Sequence, residues 1–487
     1  MESNTPLWSH QKQAAERAKN GEPLAIFFEI GTGKTRAAIE IIKWHISEGR
    51  RRFLIFAPPV VLNNWKIEIL KFSDIPEHWI HVLYGTGKKR GQLLNDVQTT
   101  ATKIKDHPYV IITNYESVGM VPIFAKLMHM PFDALVADES HYLKSHDTIR
   151  TKKVTAIAKN IKYRYILTGT PVLNTPMDLF SQYYLLYGYF PCLRWGEISG
   201  GRRIDNFYTF RNFFFFDKNA SMPSHVHFYN WVPKPTTVRL FNEIIQKTAC
   251  VAKKADVLDL PPFLNVTREV EMGSDQEKAY NEMYKDFITY INDEACVAQL
   301  AITKGIKLMQ IISGFLQVND EKVHRFKSNP RLEMLDGLLT ALTPNSKVIV
   351  WATFKENYEQ IAEVCNERNI EFAFLTGDIN PRQKFEMIDK FNNKESCRVM
   401  IANQQAGGIG VNLTASDTSI YYSRNFSLGG DIQSEGRNYR GGSEIHKCVT
   451  RIDILTKGTI DEVVLGALSA KESTAENLLK RIKNAAA

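Results

Sequence analysis

The sequence is poor in cysteine, and its few cysteines are not grouped. Among 487 residues there are six, and no two of them form a Cys-x-x-Cys pair. They are Cys192, Cys250, Cys296, Cys365, Cys397 and Cys448. Such spacing indicates neither a zinc site nor a disulfide framework. We therefore expect reduced thiols, as in an intracellular protein.

Long apolar stretches are also missing. No run of eighteen or more apolar residues occurs, and the amino-terminal segment MESNTPLWSH does not place an apolar stretch after a basic region. These two absences argue against a membrane-spanning helix and against a secretion signal. The sequence predicts a soluble intracellular protein.

Charge of one sign is not strongly in excess either. The formal net charge of +8 is modest for this length, so it permits a nucleic-acid partner without requiring one. The sequence contains no internal repeat and no low-complexity segment. With 44% hydrophobic residues, the chain is long enough for two to four domains, each with its own core.

The chain does contain a short glycine-rich segment, EIGTGKT, at Glu29–Thr35. It follows the apolar run Leu24–Phe28, and the residues from Arg36 to Ile46 carry apolar side chains at helical spacing. The pattern therefore predicts a strand, a turn and a helix. This arrangement is typical of a phosphate cradle, because the backbone N–H groups at a helix N-terminus attract anions.

Each position in this turn has a predicted role. Gly31, Thr32 and Gly33 line the cradle, and the glycines allow the backbone to turn tightly. We expect Lys34 to reach the outer phosphates of ATP, and the Thr35 hydroxyl to ligate the accompanying Mg²⁺.

A pair of carboxylates ends a later predicted strand. The run Ala134–Ala137 is followed by Asp138 and Glu139, within the tetrapeptide DESH. Predicted strands and helices alternate here, which indicates a parallel sheet covered on both faces. Ligands of such sheets bind beyond the carboxyl ends of the strands. We expect Asp138 to hold Mg²⁺ and Glu139 to position and deprotonate the attacking water.

An ordered set of segments resembles the superfamily 2 helicases, and specifically their Snf2-like branch. First-lobe motifs are matched by EIGTGKT, APPVVLNNW, ITNYES, DESH and LTGTP. Second-lobe motifs are matched by KVIVWATF, LTGDINPRQKFEMIDKFN, AGGIGVNLT and QSEGRNYRGG. The compact chain is most similar to phage-encoded members, which implies the host cytoplasm as its location. The resemblance implies an α/β fold with two RecA-like lobes, each a parallel sheet covered by helices, and helical protrusions.

The resemblance also divides the chain. Residues 1–262 are expected to form the ATP-binding lobe, with an aromatic-rich insertion at about 183–250. Residues 263–487 are expected to form the second lobe, with a helical protrusion at about 276–325. The second lobe has no GKT loop. We therefore expect it to complete a site on its neighbour.

Further nucleotide contacts are expected from residues outside the glycine turn. Gln433, Arg437 and Arg440 recur at intervals of four and three, which predicts one face of a helical turn. We predict that Arg437 and Arg440 act as arginine fingers at the γ-phosphate. The resemblance adds Gly410 and Gln433 as nucleotide contacts, and Gln11 is a candidate for reading the adenine edge.

The resemblance implies DNA as the partner, held through its sugar-phosphate backbone. The candidate contacts are Asn64, Trp65, Asn114 and Thr414. Contacts of this type fix the position of a protein on DNA without reading the sequence.

Three positions depart from the Snf2-like pattern. Phe28 stands where an acidic residue is common and where the usual first glycine of the loop would be, Gly436 stands where Asp is usual, and Ser443 stands where Gln is frequent. None is an expected phosphate contact, so ATP hydrolysis is still predicted.

The sequence thus predicts a monomeric, ATP- and Mg²⁺-dependent DNA translocase that remodels branched or forked DNA. Conventional strand separation on DNA or RNA is one alternative, and a motor subunit of a larger remodelling or restriction complex is another. A nucleic-acid-binding module latched by ATP belongs to a different class. The intact set Lys34, Asp138, Glu139, Arg437 and Arg440 disfavours that last reading.

Overall fold

The computed structural model describes residues 6–104, 106–173, 175–194, 197–223, 229–292, 298–318, 322–342, 346–404, 411–424, 427–466 and 468. The chain forms two compact units, of which the first runs to Leu258 and the second begins at Asp259. Within the ranges just given, no helix is both long enough and apolar enough to cross a membrane.

The strands of the first unit are mostly short and buried. They are β1 (Leu24–Phe28), β2 (Arg52–Phe56), β3 (Ile80–Val82), β4 (Tyr109–Thr113), β5 (Ala134–Asp138), β6 (Tyr163–Leu167), β7 (Phe190–Arg194), β8 (Glu197–Ile204), β9 (Phe215–Asp217), β10 (Trp231–Pro233) and β11 (Ala249–Ala252). Seven of them form one parallel sheet in the order β11-β1-β6-β5-β2-β4-β3. Every residue of β1, β4 and β5 is buried, as helices on both faces of a parallel sheet require.

Ten helices accompany these strands in the described part of the first unit. They are α1 (Ser9–Ala18), α2 (Lys34–Ser47), α3 (Leu62–Phe72), α4 (Gly87–Lys103), α5 (Val121–His129), α6 (Ile149–Ala158), α7 (Leu179–Tyr187), α8 (Phe207–Phe214), α9 (Thr237–Thr248) and α10 (Lys254–Val257). Apolar residues of α2 such as Ile41 and Ile42 are buried, which confirms the helical spacing seen in the sequence.

An aromatic-rich insertion lies between β6 and β11. It combines helices with two antiparallel hairpins, β7–β8 and β9–β10, so it is not helical throughout. Phe190, Phe210, Phe214 and Phe241 are buried at its centre, with ring centroids 4.6–5.9 Å apart. Most of the aromatic residues therefore form the core of the insertion.

The second unit repeats the same plan. Its strands are β12 (Phe263–Val270), β13 (Phe315–Gln317), β14 (Val323–Arg325), β15 (Val348–Trp351), β16 (Glu371–Leu375), β17 (Cys397–Ala402), β18 (Thr418–Tyr421) and β19 (Val449–Thr456). Six of them form a parallel sheet in the order β12-β19-β18-β15-β17-β16. Its helices are α11 (Ser274–Asn292), α12 (Ala298–Ile312), α13 (Pro330–Ala341), α14 (Lys355–Glu367), α15 (Pro381–Asn393) and α16 (Leu428–Glu435).

The predicted fold class, two RecA-like lobes of parallel sheet and helices, is confirmed. The two helices of the predicted second protrusion are present as α11 and α12. The sequence analysis missed β3, β11 and β12. β3 has only three residues, the apolar run of β11 is only four residues long, and β12 is largely exposed.

Candidate functional site

The glycine turn between β1 and α2 has the predicted shape. Gly31 and Gly33 have φ angles of 88° and 78°, a left-handed conformation that side chains other than glycine rarely adopt. Gly33 is the N-cap of α2, so the first backbone N–H groups of this 14-residue helix face the turn. The structure therefore has a cradle for an anion at the end of β1.

Two side chains in the turn donate hydrogen bonds to its backbone. The Lys34 Nζ donates to the carbonyl oxygen of Phe28 at 3.1 Å, and the buried Thr32 hydroxyl donates to that of Glu29 at 2.7 Å. Thr35 lies in the first turn of α2 and is half-buried. Lys34 and Thr35 therefore lie where their side chains would reach a bound phosphate and its Mg²⁺ ion.

Helix α1 packs directly on this turn. The Gln11 amide donates to the Gly33 carbonyl at 3.4 Å and accepts the Trp8 backbone N–H at 3.0 Å. A Cβ atom on Gly33 would lie 2.2 Å from the Gln11 Nε2, so a side chain there would displace the Gln11 amide, and the φ angle of 78° would strain it as well. Gln11 is buried, and its contact with an adenine ring stays a prediction.

His10 is a contact to the turn that the sequence analysis missed. Its Nε2 lies 2.8 Å from the Thr32 carbonyl oxygen, and its ring meets the Phe28 ring edge-on at 4.8 Å. Burial lowers the pKa of His10, so the neutral ring donates this hydrogen bond. The aromatic Phe28, a departure from the family pattern, is the surface on which His10 packs.

The two carboxylates of DESH lie at the carboxyl end of β5 and are buried. Asp138 accepts hydrogen bonds from the Trp65 Nε1 at 2.8 Å and from the Glu139 backbone N–H at 2.9 Å. Burial first, and the Glu139 charge second, raise the pKa of Asp138 to about 7, against the opposing effects of Trp65 and Lys34. A buried carboxylate of this kind is stabilised by any cation that binds it.

The prediction that Trp65 contacts nucleic acid is wrong. Its side chain is only 1% exposed, and its indole N–H is used by Asp138. A hydrogen bond between a donor and a carboxylate is stronger in the protein interior than on the surface, because the local dielectric constant is lower. Trp65 therefore supports the carboxylate site, and sequence spacing alone did not link residues so far apart in the chain.

Glu139 is connected to the LTGTP segment through a histidine. Its backbone has φ 51°, and its Oε2 lies 3.3 Å from the His141 Nδ1. The same Nδ1 lies 3.1 Å from the Thr168 hydroxyl. A Cβ on Gly169 would meet Phe28 O and Ile30 N at 3.2 Å, so this segment also packs tightly on the phosphate turn.

Two asparagines predicted to contact nucleic acid are held within the first unit. The Asn114 amide accepts from Arg90 Nη1 at 2.8 Å and donates to Glu116 Oε2 at 3.0 Å, and it is 7% exposed. The Asn64 amide donates to Glu68 Oε1 at 2.8 Å. These asparagines position neighbouring charged side chains, and a phosphate contact for either one stays a prediction.

The arginines of the second unit do not lie on a helix as predicted. Helix α16 ends at Glu435 with Gly436 as its C-cap, because glycine is a poor helix former. Arg437 and Arg440 follow in turns, and their Nη1 atoms both donate to the Val411 carbonyl, at 3.3 and 3.4 Å. The turns still bring the two guanidinium groups together.

The remaining second-unit candidates lie around these arginines. Gln433 is buried on α16. The Thr414 carbonyl accepts from His446 Nε2 at 2.7 Å, and the Thr414 hydroxyl faces Gly442, where a Cβ would lie 3.5 Å away. Gly410 lies outside the described residues.

A buried charge network holds α16, and the sequence analysis did not identify it. Arg451 on β19 donates to Asp431 at 2.8 Å, to Glu435 at 3.0 Å and to Asp453 at 3.2 Å. Its guanidinium lies 4.2 Å from the centre of the Tyr421 ring. The network fixes the helix from which Arg437 and Arg440 follow.

The donor set at the glycine turn suits Mg²⁺ with a triphosphate. Mg²⁺ in such sites is bound by one or two protein oxygens, with waters and phosphate oxygens as the other ligands. The Thr35 hydroxyl and the Asp138 carboxylate would supply the protein oxygens. Among the described residues no group of three or more His, Cys, Asp or Glu is placed to hold a metal, so phosphate oxygens would be needed as well.

The two parallel sheets and the glycine turn define a two-lobed, helicase-like class of protein. The model of the SNF2-related domain matches residues 14–324, and that of the helicase conserved C-terminal domain matches residues 330–442. The chain belongs to the SNF2-related family. This confirms the Snf2-like resemblance, while its phage-encoded subtype stays a prediction.

Several curated relatives align over most of the chain. The CHD3-type chromatin-remodeling factor PICKLE of Arabidopsis thaliana is 22% identical, and the alignment covers 93% of this chain and 32% of the relative. The chromodomain-helicase-DNA-binding protein 1-like of Mus musculus is 23% identical, with 91% and 46% covered. An uncharacterized ATP-dependent helicase of Mycoplasma pneumoniae is 25% identical, with 93% and 40% covered. The chain thus spans less than half the length of these three relatives.

A solved structure is also similar. The Sulfolobus solfataricus SWI2/SNF2 ATPase core in complex with dsDNA is 20% identical, and the alignment covers 97% of this chain and 96% of that one, with a TM-score of 0.41.

Proposed function

We propose that this protein is an ATP-dependent translocase that moves along DNA and remodels branched or forked DNA. The observation that carries the proposal is the first-unit site, where an anion cradle and two buried carboxylates sit at strand ends of one sheet. Family membership adds support, because relatives are named as ATP-dependent helicases and chromatin-remodeling factors.

ATP binds first to the glycine turn. The backbone N–H groups at Gly31 and Gly33 face the phosphates, and Lys34 exchanges its Phe28 carbonyl partner for a phosphate oxygen. The Thr35 hydroxyl and Asp138 would hold Mg²⁺, which would screen the phosphate charge. A side chain that already lies close to the site loses little conformational entropy when ATP binds.

Glu139 is the general base. It accepts a proton from the attacking water, and the neighbouring His141 and Thr168 orient its carboxylate. The 3.1 Å contact between His141 and Thr168 links this base to the LTGTP segment, so a change at the phosphate reaches that segment through one side chain.

Arg437 and Arg440 complete the site from the second unit. Two guanidinium groups that share the Val411 carbonyl repel each other, and an anionic γ-phosphate relieves this repulsion. Stabilisation of the transition state by such arginines is worth about 10³- to 10⁵-fold in rate. Hydrolysis then depends on approach of the two units, and this dependence couples ATP turnover to movement.

DNA is the proposed partner, held through its sugar-phosphate backbone. Arg90 is the strongest candidate in the first unit, because Asn114 and Ser117 fix its guanidinium. Thr414 is the corresponding candidate in the second unit. Alternating grip by the two units would move the protein along a strand without reading bases.

An ATPase assay with different nucleic acids tests the proposal. Turnover is measured with no nucleic acid, single-stranded DNA, duplex DNA, a branched junction and RNA, each with Lys34→Ala as the blank. We expect stimulation by duplex and branched DNA that the blank lacks. Turnover stimulated by RNA alone would contradict a DNA translocase, and binding without turnover would favour an ATP-latched module.

A further inference from the structure

Part of the aromatic-rich insertion is not in its core. Four side chains stack in one row, which we call the aromatic ladder: Tyr229, Trp231, Arg211 and Tyr208. The rings of Tyr229 and Trp231 are 5.9 Å apart and 17° from parallel. The Arg211 guanidinium lies 3.9 Å from the centre of the Trp231 ring and 5.3 Å from that of Tyr208. A cation is therefore held between two aromatic rings.

Ordered elements hold the ladder in place. Trp231 lies on the β9–β10 hairpin opposite Asp217, whose carboxylate accepts the backbone N–H groups of Asn219 and Asn230. Tyr208 and Arg211 are three residues apart on α8 and share a helix face. Two packed elements thus supply three of the four members, and Tyr229 lies just before β10.

Two members of the ladder are exposed, whereas Arg211 and Trp231 are half-buried and Trp231 also packs against the phenylalanine core beside them. Tyr229 is 70% exposed and Tyr208 is 57% exposed, whereas Phe210 and Phe214 are almost completely buried. Large aromatic rings left in water next to a well-packed core indicate a binding surface.

The stretch of chain that carries the ladder has an excess of basic residues, although Arg239 within it pairs with Glu243 at 3.8 Å. Residues 203–239 contain five Lys or Arg and two Asp, and one of those carboxylates, Asp217, is used within the hairpin. Arg203 and Lys218 are exposed. A polyanion is attracted to such a surface, and exposed rings between cations suit an anion that also carries flat aromatic groups.

We propose that the aromatic ladder binds the unpaired bases of a single-stranded nucleic acid. Every base has a π-face that stacks on Tyr or Trp irrespective of sequence, and Arg211 adds a cation–π contact and an attraction to phosphate. A duplex hides its bases and is not a ligand of the ladder. The inference rests on the proposed function only in taking nucleic acid as the partner.

His146 connects the ladder to the first-unit site. Its ring stacks on Phe207 at 3.6 Å and meets Tyr208 edge-on at 5.9 Å. Burial, the largest effect on this group, lowers the pKa of His146, so its ring stacks in the neutral form. Since His146 follows the DESH segment in the chain, a strand bound to the ladder lies against the loop that leaves the carboxylate site.

Fluorescence anisotropy of labelled oligonucleotides tests the ladder on the full-length chain. The probes are an oligothymidylate of about 20 nucleotides, the same length of oligouridylate, a duplex, and an abasic oligomer that keeps the phosphates. The variants are Tyr208→Ala, Tyr229→Ala and the conservative Tyr229→Phe. The matched control is Phe213→Ala, which removes a 39% exposed ring on α8 that is not a ladder member.

We expect each alanine variant in the ladder to weaken binding of the two single strands by roughly 5- to 50-fold. Tyr229→Phe and Phe213→Ala should bind as the wild type does, and duplex and abasic affinities should not change. The relative loss should also persist as salt is raised, because stacking releases no counter-ions.

Two results would overturn the inference. One is wild-type affinity for single strands in both alanine variants, which would favour a protein as the partner of the aromatic ladder. The other is an equal loss for duplex and single strand, which would make the ladder a phosphate contact. If ladder variants bind normally while duplex DNA stimulates ATPase activity, the ladder fails and the proposed function stands. If binding of single strands depends on the ladder but no ATP turnover is seen, the inference about the ladder stands and the proposed function fails.

Discussion

At the scale of single residues, the polar groups of the candidate site already make hydrogen bonds within the protein. Lys34 donates to a backbone carbonyl and Asp138 accepts from an indole. These contacts hold the side chains near the position in which they are needed. A side chain already ordered loses less rotamer freedom when its ligand binds.

Lys34→Ala should reduce ATP turnover by at least about 100-fold, since a positioned cation at the phosphates is lost. The measurement is steady-state ATPase activity in the presence of duplex DNA. Lys43→Ala is the matched control, because Lys43 lies on the same helix α2 and is paired on the surface with Glu40. Comparable activity in the two variants would remove Lys34 from the phosphate site.

Glu139→Gln should keep ATP affinity and slow hydrolysis about 10²- to 10⁴-fold, because the amide cannot accept the proton from water. Equilibrium binding of a fluorescent ATP analogue and single-turnover hydrolysis separate the two effects. A variant that no longer binds the analogue would show that Glu139 has a structural role. His141, which lies 3.3 Å from the carboxylate, still contacts the glutamine side chain.

Asp138 gives a prediction about pH. Burial and the Glu139 charge raise its pKa to about 7, so protons compete with Mg²⁺ for this carboxylate, and at a limiting Mg²⁺ concentration activity should fall as the pH is lowered through 7. Trp65→Phe removes the N–H that stabilises the charged carboxylate. The pKa then rises further, and the acidic limb of the pH–activity profile should move up by roughly one pH unit, with a higher Mg²⁺ requirement.

Trp351→Phe is the control for this substitution. Trp351 is also fully buried, but its Nε1 has no hydrogen-bond partner among the described residues. Trp351→Phe should lose a similar amount of core packing without changing the pH–activity profile. An acidic limb at the same pH in Trp65→Phe and the wild type would show that the indole N–H does not tune Asp138.

At the scale of elements, the turn after α16 depends on a buried charge network rather than on helix propensity. Arg451 joins β19 to α16 through Asp431 and Glu435. Only the folded sheet brings these residues together, since they come from separate elements. The arrangement places the two arginines that follow the helix.

Arg451→Met should destabilise the second unit by about 3–5 kcal/mol, because the buried Asp431 loses its arginine partner. The half-buried Glu435 also loses its partner, whereas Asp453 keeps its pair with Arg424. Denaturant unfolding followed by circular dichroism gives this value, with the transition of the second unit treated separately from that of the first. Arg368→Gln is the control. It removes an arginine from the surface pair with Asp336 and should have little effect. Equal changes in both variants would contradict a special role for the network.

At the scale of the whole molecule, we predict that catalysis requires both units. Arg440→Ala should lower DNA-stimulated turnover by about 10³-fold or more while ATP binding to the first unit persists. Lys447→Ala, an exposed cation in the same segment, is the control for net charge. A normal rate in Arg440→Ala would show that the first unit hydrolyses ATP without this arginine.

The sequence by itself determined the two-lobed fold, the glycine turn and the place of DESH at a strand end. The two lobes followed from the resemblance of an ordered set of motifs to the Snf2-like branch. The glycine turn and the DESH position are local features, because apolar runs, glycine positions and strand ends are read over a few neighbouring residues. The same holds for α2, whose apolar spacing matches its buried face.

Only the tertiary structure decided what surrounds these motifs. It buried Trp65 against Asp138, brought His10 to the phosphate turn, ended α16 before the arginines and separated the exposed aromatic ladder from the phenylalanine core. The physical reason is that burial and hydrogen bonding join residues far apart in the chain. Side chains of the same type acquire opposite roles once the fold places one in the core and another in water.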